Sequence, residues 1–225
     1  MPEAEFRCLE LPGVELSADL RLPANARALV IFVHGSGSAR LSPRNQYVAD
    51  VLALQGLASL LFDLLTEPEQ RLDNLSGVLR FDISLLARRL IDVIDWVGRD
   101  RELCSLPIGL FGASTGAATA MVAAAERASV IRAVVSRGGR TDLVGPALTR
   151  VKAPTLQIVG AQDPLILGLN RRSKQILGCE QRLEVVERAT HLFEEPGTLE
   201  EVARLAGDWF EQYLRTTAMC AYESS

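Results

Sequence analysis

The serine in Gly112-Ala113-Ser114-Thr115-Gly116 is the first candidate for chemistry in this chain. As a bare string, G-x-S-x-G is weak, because ordinary composition produces it often. Its setting carries the weight. LPIGLF before it reads as a short buried strand and TGAATAMVAAA after it as a helix, so Ser114 falls in a strand-to-helix turn. Such a turn holds the serine backbone in an unfavourable conformation and demands bare residues at 112 and 116, where strand and helix approach. The helix start also sets a positive dipole end beside the hydroxyl. A serine that merely caps the helix is the alternative reading.

A serine hydroxyl attacks a carbonyl only when a base takes its proton. The chain has two histidines. His191, in RATHLFEEPG between the last strand pattern and the last helix pattern, stands at the strand end where a general base is needed. His34 closes a strand and shapes the turn that follows, with substrate contact as its second reading. The acid that orients the imidazole is expected at Asp163, in GAQDP directly after the apolar run TLQIV. Asp142 comes too early, and Glu187, Glu194 and Glu195 lie too close to His191 in the chain. A turn aspartate before proline is the plain alternative for Asp163.

A tetrahedral intermediate needs two donors aimed at its oxygen. The backbone N–H groups of Thr115 and of Ser36, in the glycine-rich bend His34-Gly35-Ser36-Gly37-Ser38, are the expected pair. A phosphate-cradling reading of that bend fails for want of the lysine and spacing of a P-loop. Arg137 and Arg140, in RGGRTD, are candidates for holding a carboxylate or phosphate on a substrate, since guanidinium meets both bidentately; ordinary surface or salt-bridging arginines are the alternative. The polar stretch 64–80, read as a long loop, is a candidate roof over the site.

The elements that must position these residues follow from the apolar pattern. Phe6–Leu11 and Val14–Leu22, split by Pro12-Gly13, read as a hairpin. Continuous apolar runs at Ala28–Val33, Leu57–Asp63, Ile108–Phe111, Ile131–Val135, Thr155–Val159 and Leu183–Val186 read as strands, most of them buried on both faces. Helices are expected after Ser42-Pro43, over about 81–99, 115–126 and 167–177, and over 199–214, with Thr198 and Glu201 as a capping box. Alternation of this kind implies a mainly parallel sheet covered on both faces, with ligands collecting at the carboxyl ends of its strands. Every motif above lies at such an end.

With 225 residues, 48% of them hydrophobic, the chain suits one domain, expected over 1–216 with 217–225 as a loose tail. A formal charge of −4 and the lack of basic runs argue against nucleic acid as a partner. No stretch reads as a signal peptide or membrane span, so a cytoplasmic protein is expected. Cys8, Cys104, Cys179 and Cys220 are scattered without metal spacing and read as reduced thiols. No metal or cofactor is expected.

Taken together, HGSGS, SPRNQYVADVLALQGLASLLFDLLT, GASTG, VVSRGGRTDL, GAQDP and ATHLFEEPG give a chain that resembles the α/β-hydrolase superfamily, specifically its dienelactone-hydrolase-like branch. The chain order Ser, Asp, His is the one expected there. The resemblance implies an α/β-hydrolase fold, with an eight-stranded sheet antiparallel only at its second strand and helices on both faces. It maps nucleophile, acid and base onto Ser114, Asp163 and His191. Some members of the branch are fused to phosphoribosyltransferase domains. Namesake dienelactone hydrolases use a cysteine nucleophile; the serine here departs from them and sets the cyclic dienelactone substrate aside while keeping acyl-ester hydrolysis. Between Ser136 and Thr155 there is no room for a cap domain. The expected activity is hydrolysis of a small carboxylic ester, lactone or thioester. A small-ligand receptor with vestigial turnover and an acyltransferase are the competing readings, and the oligomeric state is open.

Overall fold

The structure is a computed structural model that describes residues 3–215. The stretch 217–225, expected as a tail, lies outside the described residues, as does Cys220.

Pro12-Gly13 folds β1 (Glu5–Leu11) back on β2 (Val14–Arg21) as the expected antiparallel hairpin. From β3 (Leu29–Val33) onward, strands and helices alternate: α1 (Pro43–Leu54), β4 (Ala58–Phe62), α2 (Glu67–Ser76), α3 (Ile83–Val97), β5 (Ile108–Ala113), α4 (Thr115–Glu126), β6 (Ile131–Arg137), β7 (Thr155–Gly160), α5 (Pro164–Ile176), β8 (Gln181–Val186) and α6 (Thr198–Tyr213). The eight strands form one sheet in the order β1-β2-β4-β3-β5-β6-β7-β8. β2 runs antiparallel to both β1 and β4, and every later pairing is parallel.

Continuous apolar strands are needed because both faces are covered. Along β3, Leu29, Ile31 and Val33 enter the core shared with α3 and α4. Val30 and Phe32 point the other way, into the core built with α1 and α6, as a period of two requires. Phe111 of β5 stacks on Phe32 with ring centroids 4.9 Å apart. Between β6 and β7 only two short 3-10 turns intervene, at Thr141–Leu143 and Gly145–Arg150, so no cap domain covers the carboxyl ends of the strands.

Three local expectations change. The stretch 64–80 is not a loop: it contains α2. Pro68 and Asp73-Asn74 look like breakers, but proline is tolerated in a first helical turn, where the missing N–H costs nothing. Thr66 Oγ1 accepts the Glu69 N–H and Glu69 Oε2 accepts the Thr66 N–H, a reciprocal cap, and Gly77 ends the helix at φ 68°. The capping box expected at Thr198 and Glu201 is absent. Gly197 is the capping residue, the Thr198 hydroxyl donates to the Glu195 carbonyl, and Glu201 pairs with Arg204 instead. Ser42 holds the capping position of α1 without a side-chain bond.

Phe111 is fully buried in the strand that carries Ser114. Phe111→Ala should therefore cost about 3–5 kcal/mol, read as a lower urea midpoint at an unchanged m-value.

Candidate active site

Ser114 occupies the single residue between β5 and α4, at φ 52° and ψ −117°. Its side chain makes no capping bond, so the plain capping role does not account for a serine here. Bare neighbours make the turn possible. A Cβ at Gly112 would lie 2.5 Å from the Ala117 Cα, and one at Gly116 would lie 2.2 Å from the Val33 carbonyl oxygen. The Ser114 N–H donates to the Arg137 carbonyl (2.9 Å), and the Ser114 carbonyl accepts from the Arg140 N–H (3.1 Å). The loop after β6 thus clamps the turn from both sides.

The other two candidate residues converge on that hydroxyl. His191 Nε2 stands 3.2 Å from Ser114 Oγ, and His191 Nδ1 stands 2.6 Å from Asp163 Oδ2. An ionised carboxylate only accepts, so Nδ1 carries the proton and Nε2 is left to accept from the serine. Asp163 is also the capping residue of α5: its Oδ1 accepts the Ile166 N–H at 3.3 Å. The helix start and the imidazole therefore share one carboxylate. The His191 loop is fixed by Phe193, which is buried, and by the Thr190 N–H donating to Glu195 Oε2 (3.1 Å). A Cβ at Gly138 would come within 3.2 Å of the imidazole Cε1, so the β6 loop lies directly against the ring.

This serine, imidazole and carboxylate, set at the ends of β5, β8 and β7 with no cap above them, can be compared with known proteins. A scan against protein-family models finds no match. A crystal structure of dienelactone hydrolase from Anabaena variabilis matches with a TM-score of 0.94 at 50% identity, over 95% of this chain and 99% of that one. The chain belongs to the dienelactone hydrolase family. Est1E from Butyrivibrio proteoclasticus shares the fold at 16% identity, with a TM-score of 0.76 over 92% of this chain and 98% of its own. A protein of Mycobacterium tuberculosis, provisionally named a phosphoribosyl transferase, is 55% identical over 201 residues, or 89% of this chain. That match spans 44% of the Mycobacterium tuberculosis protein.

Within this dienelactone hydrolase family member, the remaining candidates divide. Thr115 is the first residue of α4, where a backbone N–H has no partner inside the helix. The Ser36 N–H, expected to be free beside it, donates to Thr115 Oγ1 at 2.8 Å, because a hydroxyl on the first helical residue reaches back to the HGSGS bend. His34 is not positioned for substrate. It is buried, its Nδ1 donates to the Gly35 carbonyl (3.0 Å), and its Nε2 accepts the Leu64 N–H (3.1 Å), tying the bend after β3 to the segment after β4. Arg140 is also removed from substrate binding: it pairs bidentately with Asp142 at 2.9 and 2.8 Å. Arg137 is different. It is buried, and it lines a cavity of about 160 Å³ together with Ser114, His191, Arg44, Ser38 and Leu192. A larger groove of about 700 Å³, running from Ser38 and Arg44 to Thr66, Gln70 and Asn74 on α2, opens beside it. Part of the 64–80 segment thus forms a wall of the adjoining groove. Arg44 went unnoticed in the sequence because nothing marks an arginine in the first turn of a helix as facing a site.

Among the described residues, no cluster of histidine, cysteine, aspartate or glutamate is arranged to hold a metal ion. No helix among them is long and apolar enough to cross a membrane.

Burial pushes the His34 imidazole below its ordinary value, so the folded protein keeps it neutral. The unfolded chain binds the proton near pH 6.5. Between the folded and unfolded values the unfolded state holds more protons, so this contribution is full above about pH 6.5 and falls as the pH drops through that window. Chemical denaturation from pH 7 to pH 5 should show this decline in the native chain, and His34→Gln should flatten it.

Proposed function

We propose that the protein is a serine-dependent hydrolase of a small carboxylic ester, lactone or thioester, working through an acyl-enzyme on Ser114. The observation that carries this reading is the continuous relay from Ser114 Oγ through the His191 ring to Asp163. The family relation to a dienelactone hydrolase supports it.

In the proposed reaction, His191 Nε2 takes the Ser114 proton as Oγ bonds to the carbonyl carbon. Asp163 holds the imidazole in the right tautomer and stabilises the imidazolium without taking the proton. The developing oxyanion is met by the Thr115 N–H at the positive end of α4. Ser36 supplies the second donor once the oxyanion displaces Thr115 Oγ1 from its N–H. The imidazolium then protonates the leaving alcohol or thiol as its bond to the acyl carbon breaks. Water, deprotonated by the same imidazole, releases the acid and restores Ser114. The open setting of the site, with no cap between β6 and β7, suits water as the acceptor. Free thiols at Cys8, Cys104 and Cys179 fit a reducing, cytoplasmic setting.

A fluorophosphonate probe should label the native protein at Ser114, and Ser114→Ala should remove the labelling. On p-nitrophenyl esters of graded chain length, Ser114→Ala should lower kcat by roughly ten-thousandfold or more. A native protein that neither labels nor turns over any ester would end the proposal.

A further inference from the structure

The clamp on Ser114 passes through a peptide group that a distant side chain holds from behind. The peptide joining Gly139 to Arg140 is planar, with its C=O and N–H pointing in opposite directions. Its N–H donates to the Ser114 carbonyl at 3.1 Å, and its C=O accepts from Asn170 Nδ2 at 2.8 Å. Asn170 is fully buried on the inner face of α5, two turns beyond Asp163. A second bond from the same Nδ2, to the Ile166 carbonyl at 2.8 Å, fixes the amide on its own helix. Both partners are carbonyl oxygens, which only accept, so the nitrogen must be the atom that faces them.

Packing alone does not call for an asparagine at this position. A leucine has the same branching and no polar atom, whereas Asn170 leaves its Oδ1 enclosed without a partner among the described residues. An unpaired buried amide oxygen is costly, so the value of the side chain lies in its donor. The peptide it holds has little freedom of its own. The Gly138 N–H donates to the Ile158 carbonyl of β7 at 2.8 Å, and a Cβ at Gly139 would lie 3.0 Å from the Ala117 Cβ of α4. Hydrogen bonds in series polarise one another, so the Asn170 bond strengthens the one that reaches Ser114.

We propose that Asn170 is a positioning residue for the nucleophile: through the Gly139–Arg140 peptide it holds the strained Ser114 turn in register with the helix that carries the acid. This rests on the hydrolase reading above and adds to it a residue that touches neither the substrate nor Ser114. One helix then fixes two members of the relay. Asp163, at its start, sets the imidazole through Nδ1 at 2.6 Å, and Asn170 sets the serine backbone through the β6 loop. A small shift of α5 therefore moves acid and nucleophile together rather than apart.

Asn170→Ala removes the donor. On p-nitrophenyl butyrate it should lower kcat roughly ten- to hundredfold, the effect of a slightly misplaced reacting group. KM should stay within about twofold, because substrate contacts are untouched. Fluorophosphonate labelling of Ser114 should slow in parallel with kcat. Hydrogen exchange at the Arg140 amide, followed by NMR, should accelerate more than exchange at the amides of β4. Leu9→Ala, at a fully buried position of β1 on the far edge of the sheet, controls for lost stability and should lower Tm without lowering kcat. Should Asn170→Ala fail to fold, Asn170→Ser replaces it: its hydroxyl is one bond shorter, can still bond the Ile166 carbonyl, and should show the same loss of kcat. A kcat within about twofold of native in the variant that folds, or a fall no larger than that in Leu9→Ala, would overturn the positioning role and leave the hydrolase intact. Should the native protein neither label nor turn over any ester, the hydrolase reading fails. The bridge is then read from Arg140 exchange alone, with faster exchange in the variant supporting it and unchanged exchange refuting it.

Discussion

The whole site hangs on one strained residue and the contacts that hold it. A non-glycine backbone at φ 52° and ψ −117° costs of order 1–3 kcal/mol, and it persists only where its surroundings over-determine it. Here they do. Backbone hydrogen bonds from Ser114 to Arg137 and from Arg140 to Ser114 close on it from the β6 side. Bare positions at 112 and 116 let α4 and the β3 turn press in, and Gly35 passes so close that a Cβ there would lie 3.2 Å from the serine Cβ. Since the same β6 loop carries Gly138 against the His191 ring, nucleophile and base are positioned from one short piece of chain.

The acid is tied into that piece as well. Asp163 caps α5, and two turns further on Asn170 Nδ2 donates to the Gly139 carbonyl at 2.8 Å. The helix that holds the carboxylate therefore also holds the loop against which the imidazole rests. Ser173, on the same buried face of α5, donates to Gln157 of β7 at 2.6 Å and fixes the helix to the sheet. Distances of 3.2 and 2.6 Å across the relay are thus set by backbone and helix placement rather than by the reach of flexible side chains.

Much of this was legible in the sequence, for a physical reason. Strands buried on both faces must be continuously apolar, so ALVIFV, LASLLFD and TLQIV declared the sheet, and the residues just past them declared the rim where Ser114 and Asp163 stand. What escaped was decided by pairing across space. Arg137 and Arg140 look alike in RGGRTD; only the fold shows that Asp142 reaches Arg140, while the enclosed Nη1 of Arg137 has no partner among the described residues. His34 could not be known as a buried bridge to Leu64, nor Ser36 as bound by Thr115. The helix at α2 did leave a signal, the T-x-x-E of Thr66 and Glu69, outweighed in reading by a proline that a first turn accepts.

The distribution of strain shows how the base is kept in place. Among the described residues, the non-glycine positions with positive φ are Ser114, Arg188 at 64° and Phe193 at 55°. One is the nucleophile, and the other two bracket His191. Phe193 is 1% exposed in the core formed with α6. Burying a ring of that size is worth about 1.5–3 kcal/mol, comparable with the strain its own backbone carries. On the other flank, the Ala189 carbonyl accepts from the Gln162 N–H at 2.9 Å beside bare Gly160, which joins the loop to the strand end that leads into Asp163. The His191 loop is therefore shaped by a packed ring at one end and a backbone contact at the other. A half-exposed imidazole can then hold a fixed direction towards Ser114 without being buried itself.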